Sequence, residues 1–133
     1  MTEATTTRYG IVRDTALGYD EAIARVKELL KEEGFGVLTE IDVQRTLKEK
    51  IDKDVAPYII LGACNPKLAA RSLEAEPDIG LLLPCNVMVA KTAAGTRVGI
   101  ANPASFVEFT GNPALDAVAG EANERLRRVM EKL

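Results

Sequence analysis

Residues 86–101 read Asn-Val-Met-Val-Ala-Lys-Thr-Ala-Ala-Gly-Thr-Arg-Val-Gly-Ile-Ala. Two β-rich runs, 86–92 and 96–101, flank Ala93-Ala94-Gly95, where glycine supplies the positive φ that a tight reversal needs. Adjacent strands joined this closely must pair antiparallel, because parallel neighbours require a crossover of a dozen residues or more. The hairpin therefore points to an α+β domain with a mostly antiparallel sheet, and the flanking segments are read against that centre.

On the C-terminal side, Asn102-Pro103 breaks the strand pattern. Phe106 and Phe109 lie between two prolines and are expected to pack under a loop or line a pocket. After Gly111-Asn112-Pro113 comes the strongest helical pattern of the chain. Leu115, Val118, Ala119, Ala122, Leu126, Val129, Met130 and Leu133 form one apolar stripe. Glu121 to Arg125 and Glu124 to Arg128 have the i,i+4 spacing of favourable ion pairs.

On the N-terminal side, residues 8–13 read as a first strand. Residues 19–33 carry Ala22, Ile23, Val26, Leu29 and Leu30 at helical spacing, with Asp20 and Glu21 at the positive end of the helix dipole. Gly34 stops that helix. A second strand is expected over 35–41, a short polar helix over 43–51, and a third strand over 58–63 after Pro57. Asn65-Pro66 reads as a helix start, with asparagine at the cap and proline in the first turn; Pro77 ends that helix. The apolar stretches 59–61 and 79–83 are strand-sized. The expectation is one domain over residues 8–133, preceded by a disordered or loosely ordered tail over 1–7. A doubly wound parallel sheet is the runner-up, weakened because the helix over 43–51 is short for a crossover.

The 133-residue chain is long enough to bury a real core. Its net charge of −3, with lysines and arginines scattered among acids, argues against nucleic acid. Met1 to Thr7 lack the basic and apolar regions of a secretory signal, and no apolar run approaches a bilayer span. These features point to the cytoplasm, where thiols stay reduced.

Histidine is absent and there are two cysteines, Cys64 and Cys85, 21 residues apart. Each sits beside an asparagine in a turn: Ala63-Cys64-Asn65-Pro66 and Pro84-Cys85-Asn86. Cys64 precedes a helix cap, and a sulfur near the positive end of a helix dipole is in surroundings that favour thiolate. The same N-terminus has free N–H groups for a phosphate or carboxylate. The plainer reading is that both cysteines pack as small apolar groups and that Asn86 bonds a turn backbone. Two sulfurs do not make a four-ligand zinc site, although their softness suits Cu(I) or zinc if other ligands join them. A redox pair needs close Cβ atoms.

Other templates are missing. There is no phosphate-binding glycine motif; Gly34-Phe35-Gly36 marks a helix stop and a strand entry. Ser72 and Ser105 lack a nucleophile elbow and a histidine base. Paired acids such as Glu32-Glu33 fall on helix surfaces or ends, where solvation is expected. Tyr9, Tyr19 and Tyr58 are expected half-buried.

The stretches Gly62-Ala63-Cys64-Asn65-Pro66 and Leu81-Leu82-Leu83-Pro84-Cys85-Asn86, the hairpin that follows, and Asn102-Pro103 resemble the uncharacterised family named "domain of unknown function 302". The segment around Gly34-Phe35-Gly36-Val37 matches in position, and the likeness spans residues 8–133. The resemblance implies a TATA-binding-protein-like β-α-β4-α sandwich with inserted helical segments. It also implies a small soluble protein, a homodimer, and no assigned reaction or cofactor. Fold likeness does not carry DNA binding.

These readings converge on a cytoplasmic homodimer with a small-ligand pocket. Its polar wall would comprise Cys64, Asn65, Pro84, Cys85 and Asn86, and its ligand would be a small anion or thiol. Asn65 and Asn86 would orient that ligand by amide hydrogen bonds. One alternative is thiol chemistry, enzymatic or redox, with Cys64 as nucleophile and Cys85 as resolving partner. The other is a purely structural role in which the sheet edge or the terminal helix makes a dimer.

Overall fold

The 86–101 hairpin stands inside a six-stranded sheet in which every neighbouring pair is antiparallel. The computed structural model describes residues 3–133. In chain order the strands are β1 (Thr5–Thr6), β2 (Gly10–Thr15), β3 (Gly36–Asp42), β4 (Tyr58–Cys64), β5 (Cys85–Thr92) and β6 (Gly95–Ala101). The helices are α1 (Tyr19–Glu32), α2 (Val43–Ile51), α3 (Pro66–Ala75), α4 (Ala104–Thr110) and α5 (Asp116–Lys132). The spatial order β1-β2-β6-β5-β4-β3 follows a β-α-β4-α plan with α2, α3 and α4 inserted and β1 added at one edge. The parallel alternative is overturned: β3 pairs directly with β4, so no crossover joins them.

Strand alternation divides the sheet into two faces. Ile11, Leu61, Val87, Val89, Val98 and Ile100 point to one side and are fully buried against α1 and α5. All eight residues of the expected α5 stripe are buried, which is the packing that holds this face dry. At the far end of α5, the Arg13 guanidinium donates to the carbonyls of Met130 (2.7 Å) and Glu131 (2.8 Å), satisfying groups that a helix C-terminus leaves open.

Several expectations are corrected. The first strand begins at Gly10 rather than residue 8, and Tyr9, expected half-buried, is 75% exposed. Thr5–Thr6, within the expected tail, pairs with Val12 and Ile11; Met1 and Thr2 of that tail lie outside the described residues. The apolar stretch 79–83 is not extended: Pro77–Leu81 forms a 3-10 turn, started by proline and carrying Gly80. Asn102-Pro103 does more than break a strand, since it opens α4, with Asn102 Oδ1 accepting from Ala104 N at 3.1 Å. Asn112 likewise accepts from Ala114 N ahead of α5. All three Asn-Pro pairs of the chain therefore begin helical turns, by the chemistry read correctly at Asn65-Pro66. Phe109 falls on the outer side of α4 and is 70% exposed rather than packed.

Glu33, expected solvated, is a structural node. Its carboxylate accepts two hydrogen bonds from Arg128 (2.8 and 3.0 Å). Its carbonyl accepts from Arg125 (3.2 Å) and Asn65 Nδ2 (3.4 Å). Arg128 thus pairs across to α1 instead of within α5, whereas Arg125 and Glu121 keep their i,i+4 contact at 3.5 Å. Arg128's hydrogen bonds hold the Glu33 carboxyl below the ordinary glutamate value of 4.5. A lowered folded-state pKa adds stability that is complete above the unfolded value and is lost as pH falls through the folded one. Glu33→Gln should therefore cost about 1 kcal/mol at pH 7. That gap should close on acidification from about pH 4.5, as wild-type Glu33 takes up a proton. Urea unfolding at neutral and acid pH checks this; a gap independent of pH sinks it.

Candidate functional site: a two-thiol cavity

Cys64 ends β4 and Cys85 begins β5, so the 20 residues between them close on themselves through α3 and the 3-10 turn. In the ladder Ala63 stands directly opposite Cys85, and Cys64 is the next residue past that pair, where β4 ends. Cys64 and Cys85 both border one cavity of about 40 Å³ between the sheet end, α3, α4 and α5. Phe35, Leu68, Phe106, Val118 and Ala122 supply most of its apolar wall. Ala119 and Ala122 are the small members of the α5 stripe, and their short side chains leave the space open.

Asn65 holds the cavity's upper edge in place. Its Oδ1 accepts from Leu68 N at 3.2 Å, capping α3, while its Nδ2 reaches the Glu33 carbonyl. Gly34 has φ +83°, and a Cβ there would lie 2.9 Å from Asn65 Nδ2. Glycine is thus needed twice, for the left-handed backbone and for the close approach of the cap. Ser72 also borders the cavity, with its hydroxyl donating to Leu68 O at 2.8 Å.

The two thiols differ. Cys85 is buried, and burial, with Cys64 alongside, pushes its thiol up to about 11. It stays protonated at neutral pH. Cys64 is half-buried, and both cysteines are unpaired. No charged side chain lines the cavity.

Of the five residues expected to share a wall, the structure brings together Cys64, Asn65 and Cys85. Pro84 and Asn86 are elsewhere. Asn86 pairs with Gly62 on the opposite face of the sheet, and the Pro84 ring covers Gly62 there, 2.9 Å from where a Cβ would stand. Adjacent strand residues point to opposite sides, so Cys85 and Asn86 cannot serve one pocket. Asn65 is inside but already engaged by backbone groups. Phe35, Leu68 and the α5 alanines were not read as lining residues; the small residues within an otherwise bulky stripe were the available sign.

The geometry defines a class: a single-domain α+β protein with one antiparallel sheet and a thiol-lined cavity at its end. Residues 11–133 match the family model described as "Domain of unknown function DUF302", and the chain belongs to that family. It is similar to an uncharacterized conserved DUF302 protein from Bacillus stearothermophilus, known from a crystal structure. The two are 35% identical with a TM-score of 0.86, over 92% of this chain and 96% of that one. No curated protein matches this chain. Among the described residues, no helix is long and apolar enough to cross a membrane.

Proposed function

We propose that this protein is a cytoplasmic small-ligand-binding module whose site is the Cys64–Cys85 cavity and whose ligand is bonded through sulfur. The observation that carries the reading is the meeting of both cysteines of the chain in one otherwise apolar cavity. With no lining charge to attract an anion and Asn65 engaged in its cap, selectivity rests on the thiols. A volume of about 40 Å³ admits something compact rather than an extended organic molecule. Binding is favoured over turnover because no general base lines the cavity and Cys85 keeps its proton.

Thiol-directed reagents of two sizes test this reading. Methyl methanethiosulfonate should modify Cys64 in the folded protein about tenfold faster than a bulky aromatic disulfide does, once each rate is divided by its value for the unfolded chain. Ala122→Leu should slow the small reagent by filling the space, and Ala119→Leu provides a second filling variant. Equal relative rates for both reagents, or no effect of either folded variant, would remove the cavity as the site.

We also infer a homodimer built through the sheet face turned away from α1 and α5. Val12, Gly99, Met88, Ile60 and Ile41 are successive cross-strand partners and form one row across five strands. The neighbouring row contains Gly10, Ala101, Asn86, Gly62 and Thr39, with the Pro84 ring and the Thr39 side chain lying over Gly62. The charged residues of this face, Asp14 and Arg97, neutralise one another at 2.8 Å. A surface without net charge can meet its own copy about a two-fold axis without repulsion. Five strands about 4.8 Å apart and six residues long cover about 500 Å² per copy. A pair therefore reaches the roughly 1,000 Å² expected of a specific interface. Light scattering that returns 14.4 kDa at every concentration would exclude it.

A further inference from the structure

We propose a second ligand site, a groove on the sheet face turned away from α1 and α5. It takes a neutral, planar nitrogen heterocycle that carries a hydrogen-bond donor beside an acceptor. The site is separate from the sulfur-bonded ligand, because strand alternation sets Asn86 on the opposite face from Cys85.

The groove measures about 300 Å³ and crosses β2, β6, β5 and β4. That is the lower end of the range that holds small organic molecules. Its floor is short of side chains where Gly10 pairs with Ala101. The fold does not demand glycine at position 10: an added Cβ would meet its nearest neighbours, Ile100 O and Thr7 Oγ1, at an ordinary 3.6 Å. A strand glycine with no packing reason marks a place where something else approaches the backbone. Gly99 does have such a reason, since Met88 Sδ and Val12 Cγ1 lie 3.0 Å from where its Cβ would stand. The Met88 thioether therefore lies across the groove as a flexible apolar wall that adapts to a flat ligand.

The rim and the one polar side chain define the ligand. Two of the chain's three tyrosines, Tyr9 and Tyr58, border the groove, and flat rings stack on such side chains. Asn86 is exposed, and its amide makes no hydrogen bond among the described residues. A primary amide presents a donor and an acceptor side by side, so its complement is an edge with the same pair, as asparagine meets adenine. No charged residue lines the groove, and Arg97 of the same face is tied to Asp14 at 2.8 Å. An unpaired charge would be desolvated there at high cost, so the heterocycle is neutral and carries no phosphate. The second copy inferred above would cover Val12, Gly99, Met88 and Ile60, which the groove also uses, so copy and ligand exclude one another.

The test is a pair of NMR titrations, read at the Gly10 and Gly99 amides, with 2-aminopurine and with quinoline, which is flat and neutral but has no donor. The background is full-length Ile41→Lys, a change in the interface row but outside the groove, which gives a monomer with the site intact. 2-Aminopurine should bind about tenfold more tightly than quinoline, the worth of one net hydrogen bond. Asn86→Ala should erase that difference and leave quinoline unchanged. Tyr9→Ala should weaken both probes about tenfold, whereas Phe109→Ala, a similarly exposed ring outside the groove, should weaken neither. Asn86 and Tyr9 are exposed, so neither truncation threatens the fold. The proposal falls if 2-aminopurine fails to bind, if it binds no better than quinoline, or if Asn86→Ala and Tyr9→Ala bind as their parent does. A wild type that is monomeric at every concentration yet binds 2-aminopurine removes the dimer alone. A wild-type dimer, with no binding in Ile41→Lys, removes the groove alone.

Discussion

Leu126→Ala should lower the unfolding free energy by about 3 kcal/mol, the middle of the range for a leucine truncated in a sealed core. Leu126 has 0% exposure and lies midway along α5 in the cluster that joins this helix to α1 and the sheet. Its methyl groups leave an apolar environment, and the backbone around them is fixed by the helix and by the Arg13 and Glu33 ties at either side. Collapse into the void is therefore incomplete, and the cavity term adds to the transfer term. Urea unfolding at one fixed protein concentration should show a lower midpoint with an unchanged slope, and the melting temperature should fall by about 10 °C. Leu81→Ala, on a side chain 88% exposed, serves as the control and should stay within about 0.5 kcal/mol. A loss under about 1 kcal/mol for Leu126→Ala would contradict the packing described.

Ile60→Lys should convert the proposed dimer to a monomer. Ile60 sits between Met88 and Ile41 in the row that crosses the open face, so a two-fold interface would bury it in both copies. Two ammonium groups would then be desolvated opposite like-charged partners, at a cost of about 2–3 kcal/mol each. The combined loss corresponds to a dissociation constant raised by about 10³-fold or more. The free chain should tolerate the change, because Ile60 is only half-buried in it and a lysine stem can lie along the sheet with its charge in water. Sedimentation equilibrium on the wild type, Ile60→Lys and Leu81→Lys reads the outcome. A dimer that persists in Ile60→Lys, or a wild type that never dimerises, removes the interface.

Most elements were legible because their signals are local. The α5 stripe repeats at helical spacing, Gly34 and Pro77 stop helices by backbone chemistry, and Asn65 caps α3 through its own third neighbour. Where reading failed, the deciding interaction lay far along the chain. Glu33 looks solvated beside Glu32, and its partner Arg128 is 95 residues away. Asn102-Pro103 follows directly on β6, so the same two residues both end a strand and open α4, and the strand-breaking signal masks the helix-opening one.

The candidate site divides along the same line. By itself the amino-acid order determined an antiparallel hairpin, a buried terminal helix, a cap at Asn65 and the placing of each cysteine at a strand end, all matters of neighbours within a few residues. Only the tertiary structure decided which side chains meet. Ladder register set Cys85 beside Ala63 and turned Asn86 to the other face. The packing of α5, with alanines at positions 119 and 122, left the cavity that Cys64 and Cys85 border. Register and packing arise from contacts between segments remote in the chain, which local propensity does not encode.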